Sequence, residues 1–83
     1  MPEFLSLLFK REGDYNFVEI QIESSKTVRD AIIAYRNKRG LMDQNIILIF
    51  NSITLREDMT LAQTGLRNRS HILVVVSKDI IGG

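Results

Sequence analysis

One amphipathic helix constrains the fold most, because its start, its apolar face and its end can all be identified in the sequence. Thr27 followed by Asp30 three positions later is a capping-box pattern, which predicts the start of a helix. Gly40 stands where a left-handed residue would end it. The spacing predicts a helix over 27–39. Its buried face follows the i, i+3, i+4, i+7 pattern at Val28, Ala31, Ile32 and Tyr35.

Short apolar runs of strand length lie on both sides of this helix. The first two predict an antiparallel hairpin, since Val18, Ile20 and Ile22 alternate with polar residues. We also expect a brief strand at 54–55 and one helical turn within 58–63. The expected fold is an α+β roll, a mixed sheet with the helix across one face and the last strand parallel to the first. The four main strands are expected at 4–9, 17–23, 45–50 and 71–76.

Composition excludes several classes of function. The 83 residues contain no cysteine, so disulfides, thiolate metal sites and cysteine nucleophiles are ruled out. Eleven basic residues against ten acidic ones give a net charge of +1, which disfavours nucleic acid or a membrane surface as a partner. No apolar run approaches the roughly 18 residues that span a membrane. A small domain without cysteine fits the cytoplasm or the nucleus, and we expect a monomer.

Catalytic patterns are missing as well. His71 is the single histidine, and the sequence has no Ser-His-Asp order, HExxH, GxGxxG or P-loop. We therefore expect a protein that is not an enzyme and that uses no cofactor and no metal ion.

Several segments, in order and at characteristic spacings, resemble the ubiquitin-like protein family. The resemblance covers essentially the whole chain and implies a ubiquitin-like β-grasp domain over residues 1–76, followed by a flexible tail over 77–83. The segments that carry it are Thr27–Leu41, Leu48–Phe50, Asp58-x-Thr60-Leu61-x-x-x-Gly65-Leu66, Ser70-x-Ile72-x-Val74 and the final Gly82-Gly83.

The paired glycines are the first candidate site that the resemblance implies. In ubiquitin-like modifiers the terminal carboxylate is adenylated, passed to an enzyme cysteine as a thioester and joined to a lysine amine of a target. Glycine suits Gly82 and Gly83, because side chains there would clash in the narrow channel of the activating enzyme. The implied partners are activating and conjugating enzymes and the lysines of target proteins.

An apolar patch on the sheet is the second candidate site. If Leu48 and Val74 point inward, alternation places Ile49, Leu73 and Val75 on the outer face. Two of these match exposed contact positions of ubiquitin, which implies docking of ubiquitin-binding domains. We expect Leu8 or a residue of the hairpin loop to extend this patch. The alternatives are a buried dimer face and an ordinary apolar surface.

The tail departs from ubiquitin in charge. Asp79 and Ile81 occupy the positions of two arginines in ubiquitin, counted back from the final glycine. A carboxylate pocket that accepts arginine would repel Asp79. We therefore expect a dedicated activating enzyme instead of the standard ubiquitin activating enzyme, with Asp79 and Ile81 as the selectivity residues.

Two other functions stay open at this point. One is a ubiquitin-like domain that binds partners without covalent attachment, so that the Gly82-Gly83 pair is incidental. The other is a sulfur carrier, in which the same carboxylate becomes a thiocarboxylate. The Asp-x-Thr-Leu-x-x-x-Gly-Leu segment at 58–66 is unusual in sulfur carriers, which places that alternative last.

Overall fold

The computed structural model describes residues 3–41 and 44–76, in which strands and helices follow the order expected from the sequence. The expected α+β roll is confirmed, with a mixed sheet and one main helix. The elements are β1 (Phe4–Arg11), β2 (Val18–Glu23), α1 (Val28–Arg39), β3 (Ile46–Phe50), β4 (Ile53–Thr54), α2 (Leu61–Thr64) and β5 (His71–Val76).

The five strands form one sheet in the order β2-β1-β5-β3-β4. β1 and β2 pair as the predicted antiparallel hairpin, with Leu7 opposite Ile20. β5 lies between the two hairpins, parallel to β1 and antiparallel to β3. The parallel arrangement of the first and last strands is therefore confirmed.

Both ends of α1 are held by the residues that predicted them. The Thr27 hydroxyl accepts a hydrogen bond from the Asp30 backbone N–H at 3.2 Å, and the Asp30 carboxylate accepts one from the Thr27 backbone N–H at 3.1 Å. This second bond is the main reason why the pKa of Asp30 is lowered. Gly40 ends the helix in the left-handed conformation, at φ 69°.

The core lies between α1 and the inner face of the sheet. All four residues of the predicted helix face are buried, and the Tyr35 ring stacks on Phe9 with centroids 5.3 Å apart. The buried cluster consists of Leu5, Leu7, Phe9, Val28, Ala31, Ile32, Tyr35, Ile46, Leu48, Leu55, Leu61, Leu66, Ile72, Val74 and Val76.

The β3–β4 hairpin differs slightly from expectation. Asn51 and Ser52 form its turn with φ of 53° and 66°, and two positive φ values in a two-residue loop define a type I′ turn. The return strand therefore begins at Ile53, opposite Phe50, one residue earlier than predicted. Leu55 leaves the strand and enters the core, donating its backbone N–H to the Leu48 carbonyl at 2.9 Å.

Candidate functional site

The outer face of the sheet, opposite α1, carries a group of branched aliphatic side chains on β3 and β5. The register places Ile47 opposite Val75 and Ile49 opposite Leu73. Ile47 is 40% exposed and Leu73 is 43% exposed, while Ile49 and Val75 are half-buried. We call these four residues the outer patch. Directly opposed side chains lie close enough to form one continuous apolar surface.

Of the four residues expected in this patch, three lie together on the outer face and one, Leu8, is buried. Ile49, Leu73 and Val75 lie together on the outer face, as the alternation required. Leu8 also lies outside the core cluster, but it is only 7% exposed. β1 lies between β2 and β5, and the cross-strand neighbours of Leu8 are Glu19 and His71. The expectation that Leu8 extends the exposed surface is corrected by this burial.

Sequence reasoning did not single out Ile47 or Phe17. Ile47 could have been found by extending the alternation of β3 by one step from Ile49. Phe17 stands in the hairpin loop immediately before β2, and its side chain is 44% exposed. The position of Phe17 agrees with the expectation that a residue of the hairpin loop extends the patch. Nothing in the sequence, however, distinguishes Phe17 from Tyr15 in that loop.

Phe17 forms one wall of a shallow depression on the outer face. Its ring centroid lies 4.6 Å from that of His71, and the Lys10 ammonium lies 5.6 Å from the Phe17 centroid. The depression has a volume of 460 Å³. Its lining includes Lys10, Phe17, Ile49, Ser52, His71 and Leu73, so it is continuous with the outer patch.

The loop that carries Phe17 is tied down at its other end. The Asp14 carboxylate lies 3.6 Å from the Arg39 guanidinium at the end of α1. Gly13 turns the chain at φ 96°, and the Asp14 backbone N–H donates to the Arg11 carbonyl at 2.9 Å. These contacts hold the loop against the body of the domain, so Phe17 is presented from a supported position.

The comparisons with known proteins agree with this architecture. The family described as "Ubiquitin-2 like Rad60 SUMO-like" matches residues 8–76, which is most of the chain. The chain belongs to this SUMO-like family. The predicted ubiquitin-like resemblance is thereby confirmed. A search of curated proteins finds no significant match.

A solved structure also supports the fold of this SUMO-like domain. It is described as "Molecular Mimicry of SUMO promotes DNA repair" and superposes with a TM-score of 0.78. The match covers 87% of this chain and 90% of the other at 22% identity. At that level of identity the similarity establishes the shared fold.

The remaining candidate residues of the SUMO-like domain lie outside the described part of the chain. These are Asp79, Ile81, Gly82 and Gly83, so the expectations about activation and conjugation stay predictions. Within residues 3–41 and 44–76, no helix is long and apolar enough to cross a bilayer. The same residues contain no cluster of three or more acidic or histidine side chains able to hold a metal ion.

Proposed function

We propose that this SUMO-like domain is a protein-recognition unit that partners bind through the outer patch, and that it is attached covalently to target lysines through Gly83. In this role it is bound and transferred by enzymes and has no catalytic activity of its own. The observation that carries the docking role is the outer patch itself, which places Ile47, Ile49, Leu73 and Val75 side by side on two paired strands.

The outer patch favours docking because its exposure is contiguous. Single exposed aliphatic side chains are common on protein surfaces and need no explanation. Here Ile47 and Leu73 are each at least 40% exposed on neighbouring strands, with half-buried Ile49 and Val75 between them. Burying such a surface against a partner releases ordered water, and the paired strands hold the side chains in place before binding.

Covalent attachment is supported by Gly82-Gly83 following a ubiquitin-like body. The Gly83 carboxylate would react with ATP to give an acyl adenylate and pyrophosphate. An enzyme thiol would then take the acyl group as a thioester and release AMP, and a lysine amine would finally take it as an isopeptide and release the thiol. Asp79 and Ile81 would select a dedicated activating enzyme, since Asp79 opposes a pocket built for arginine.

The proposed compartment is the nucleus or the cytoplasm. A chain without cysteine fits either reducing compartment. The solved relative is described in terms of DNA repair, which favours the nucleus.

Attachment is tested by incubating the tagged protein with cell extract, with and without ATP, and measuring intact masses. We expect ATP-dependent adducts on other proteins, and their loss when Gly83 is deleted or Gly82 is replaced by a bulky residue. Adducts that persist without Gly83 would contradict the proposal. No adduct at all favours a non-covalent domain, and a product heavier by the replacement of one oxygen by sulfur identifies a sulfur carrier.

Docking is tested with a matched pair of substitutions. Leu73→Arg places a charge in the outer patch, while Ile53→Arg places the same charge at a side chain that is 65% exposed and lies outside the patch. Partners captured quantitatively from extract should be lost with Leu73→Arg and retained with Ile53→Arg, with circular dichroism confirming that both variants fold. Equal retention by both would contradict docking through the outer patch.

A further inference from the structure

We propose that the open edge of β3 accepts one extended segment of a partner protein as an added strand. The segment carries an aliphatic side chain where it crosses the groove between β3 and α1. This inference goes beyond the docking role of the outer patch, because it uses the backbone at one edge of the sheet and does not depend on that role. Adding a strand to a sheet edge is a common way for a domain to hold a peptide.

The short strand β4 covers only part of β3. Its two residues pair with the end of β3, and Leu55 then donates its backbone N–H to the Leu48 carbonyl at 2.9 Å before it enters the core. The start of β3, Ile46 and Ile47, therefore has a paired strand only on the β5 side. Neither residue is a lysine or a proline, the residues that commonly protect such an edge from further pairing.

The backbone groups of Ile46 point to this open edge. Residues along an antiparallel strand alternate in the side to which their N–H and C=O point, so Ile46 faces the same way as Leu48, whose carbonyl bonds Leu55. Within residues 3–41 and 44–76, no hydrogen bond joins the Ile46 backbone to a group on that side. Ile46 is only 4% exposed, so these groups lie at the bottom of a groove. A strand that pairs there supplies partners to both of them.

The groove beside this edge has an aliphatic floor and a volume of 440 Å³. Its buried lining comes from Ile32 on α1, Ile46 and Leu48 on β3, and Leu55 after β4. Because successive side chains of a strand point to opposite faces, an added strand places every second side chain in this groove. The side chains between them lie beside Ile47, so the added strand is continuous with the outer patch.

The rim of the groove carries charges that are already paired. Arg29 on α1 lies 3.5 Å from Glu57, and Arg56 lies 2.9 Å from Asp58. These four residues line the groove, and together they leave no net charge to attract an ionised side chain. A charged group entering the groove would lose water without gaining a partner. Valine and isoleucine suit the site best, because they are apolar and favour the extended backbone.

The recessed position of the edge favours a single strand over a second copy of the domain. α1 and the segment 56–58 both line the groove beside the β3 edge. A second copy would bring the same two flanking elements against them. Neighbouring strands in a sheet lie only about 4.8 Å apart, so one extended segment can enter where a whole flanked edge cannot.

The occupant is selected from a displayed library of random peptides with the full 83-residue chain and with two variants, Ile47→Lys and Leu73→Lys. Both positions belong to the outer patch, at 40% and 43% exposure, but only Ile47 lies on the open edge. Lysine on an edge strand opposes strand addition. Peptides with valine or isoleucine in an extended run should bind the wild type and Leu73→Lys alike and bind Ile47→Lys at least about tenfold more weakly. Circular dichroism confirms that both variants fold.

Backbone pairing is measured separately with one selected peptide and with forms of it that are N-methylated at one amide each. Methylation removes a backbone donor and leaves every side chain in place. Methylation of the amide that faces Ile46 should weaken binding by at least about tenfold, whereas methylation of an adjacent amide, which points away from β3, should have a smaller effect. The Ile46 amide should show a changed chemical shift and slower hydrogen exchange when the peptide is bound.

The possible results separate this inference from the docking proposal. Peptides that bind only the outer patch or the edge of β2 overturn the inference, and so does equal weakening by Ile47→Lys and Leu73→Lys. An Ile46 amide that does not respond, a library that yields no peptide, or a dimer that pairs through β3 overturns it as well. Docking through the outer patch fails instead if partner capture is unchanged by Leu73→Arg, even where the Ile46 amide responds to a peptide.

Discussion

Two leucines on opposite faces of the sheet allow a direct test of the register. Leu48 on β3 is 1% exposed and points into the core, whereas Leu73 on β5 is 43% exposed and points outward. Replacing each by alanine removes the same atoms. The two variants therefore differ in burial and in the cavity that is left behind.

The expected losses of unfolding free energy differ severalfold. Leu48→Ala should cost about 2–5 kcal/mol, because it removes buried contacts and leaves a cavity. Fully burying a leucine is worth about 1.5–3 kcal/mol, so the roughly half-covered Leu73 should lose about 1 kcal/mol without leaving a cavity. A domain of this length has a stability of about 4–12 kcal/mol, so Leu48→Ala alone can remove much of it.

Equilibrium unfolding in urea, followed by far-ultraviolet circular dichroism, measures both variants, and the lack of tryptophan makes this signal preferable to fluorescence. The melting temperatures should differ by about 8–16 °C for a difference near 2 kcal/mol. Unchanged m-values would show that the variants unfold from the same kind of native state. Equal destabilisation by the two substitutions would refute the assignment of inner and outer faces.

Three further predictions concern the turns and the helix ends. Ser52→Gly should raise the unfolding free energy by about 0.5–1 kcal/mol, because glycine adopts positive φ without strain. Ser52→Ala should not raise it, and similar unfolding free energies for the two variants would contradict this prediction. Gly40→Ala should lower the unfolding free energy by about 1 kcal/mol, because alanine is strained at φ 69° even though its methyl group meets open space. An unchanged melting temperature would argue against the left-handed cap. The pKa of Asp30 is lowered in the folded state, so its stabilising effect is full above the ordinary aspartate pKa and is lost as the pH falls through the lowered pKa. Asp30→Asn should therefore make the unfolding free energy depend less on pH on the acid side, as measured by urea titrations at several pH values.

Elements with local signals were predicted well. The bounds of α1 followed from Thr27, Asp30 and Gly40, whose hydrogen bonds and backbone angles act within one turn of the helix. Gly65 ended α2 in the same way, at φ 86°. β5 was predicted at its observed bounds because polar residues flank a short apolar run.

Features that depend on neighbouring strands were harder to predict. The apolar run in β1 has leucines on both faces, so its sequence does not reveal that Leu8 is buried in a strand paired on both sides. The outward position of Ile47 depends on pairing with Val75 across the sheet. Phe17 reaches the outer face only because the β1–β2 loop brings its ring against His71, which is distant in sequence.

The central place of β5 affects how the protein forms during synthesis. It is the last strand along the described chain, yet it is the strand that joins the β1–β2 hairpin to the β3–β4 hairpin. Both hairpins leave the ribosome before the segment His71–Val76, and each then carries an unpaired edge that invites association with other chains. Folding of the sheet is therefore completed after translation has passed Val76. A chain interrupted within β5 would leave two hairpins with unpaired, aggregation-prone edge strands instead of a smaller stable domain.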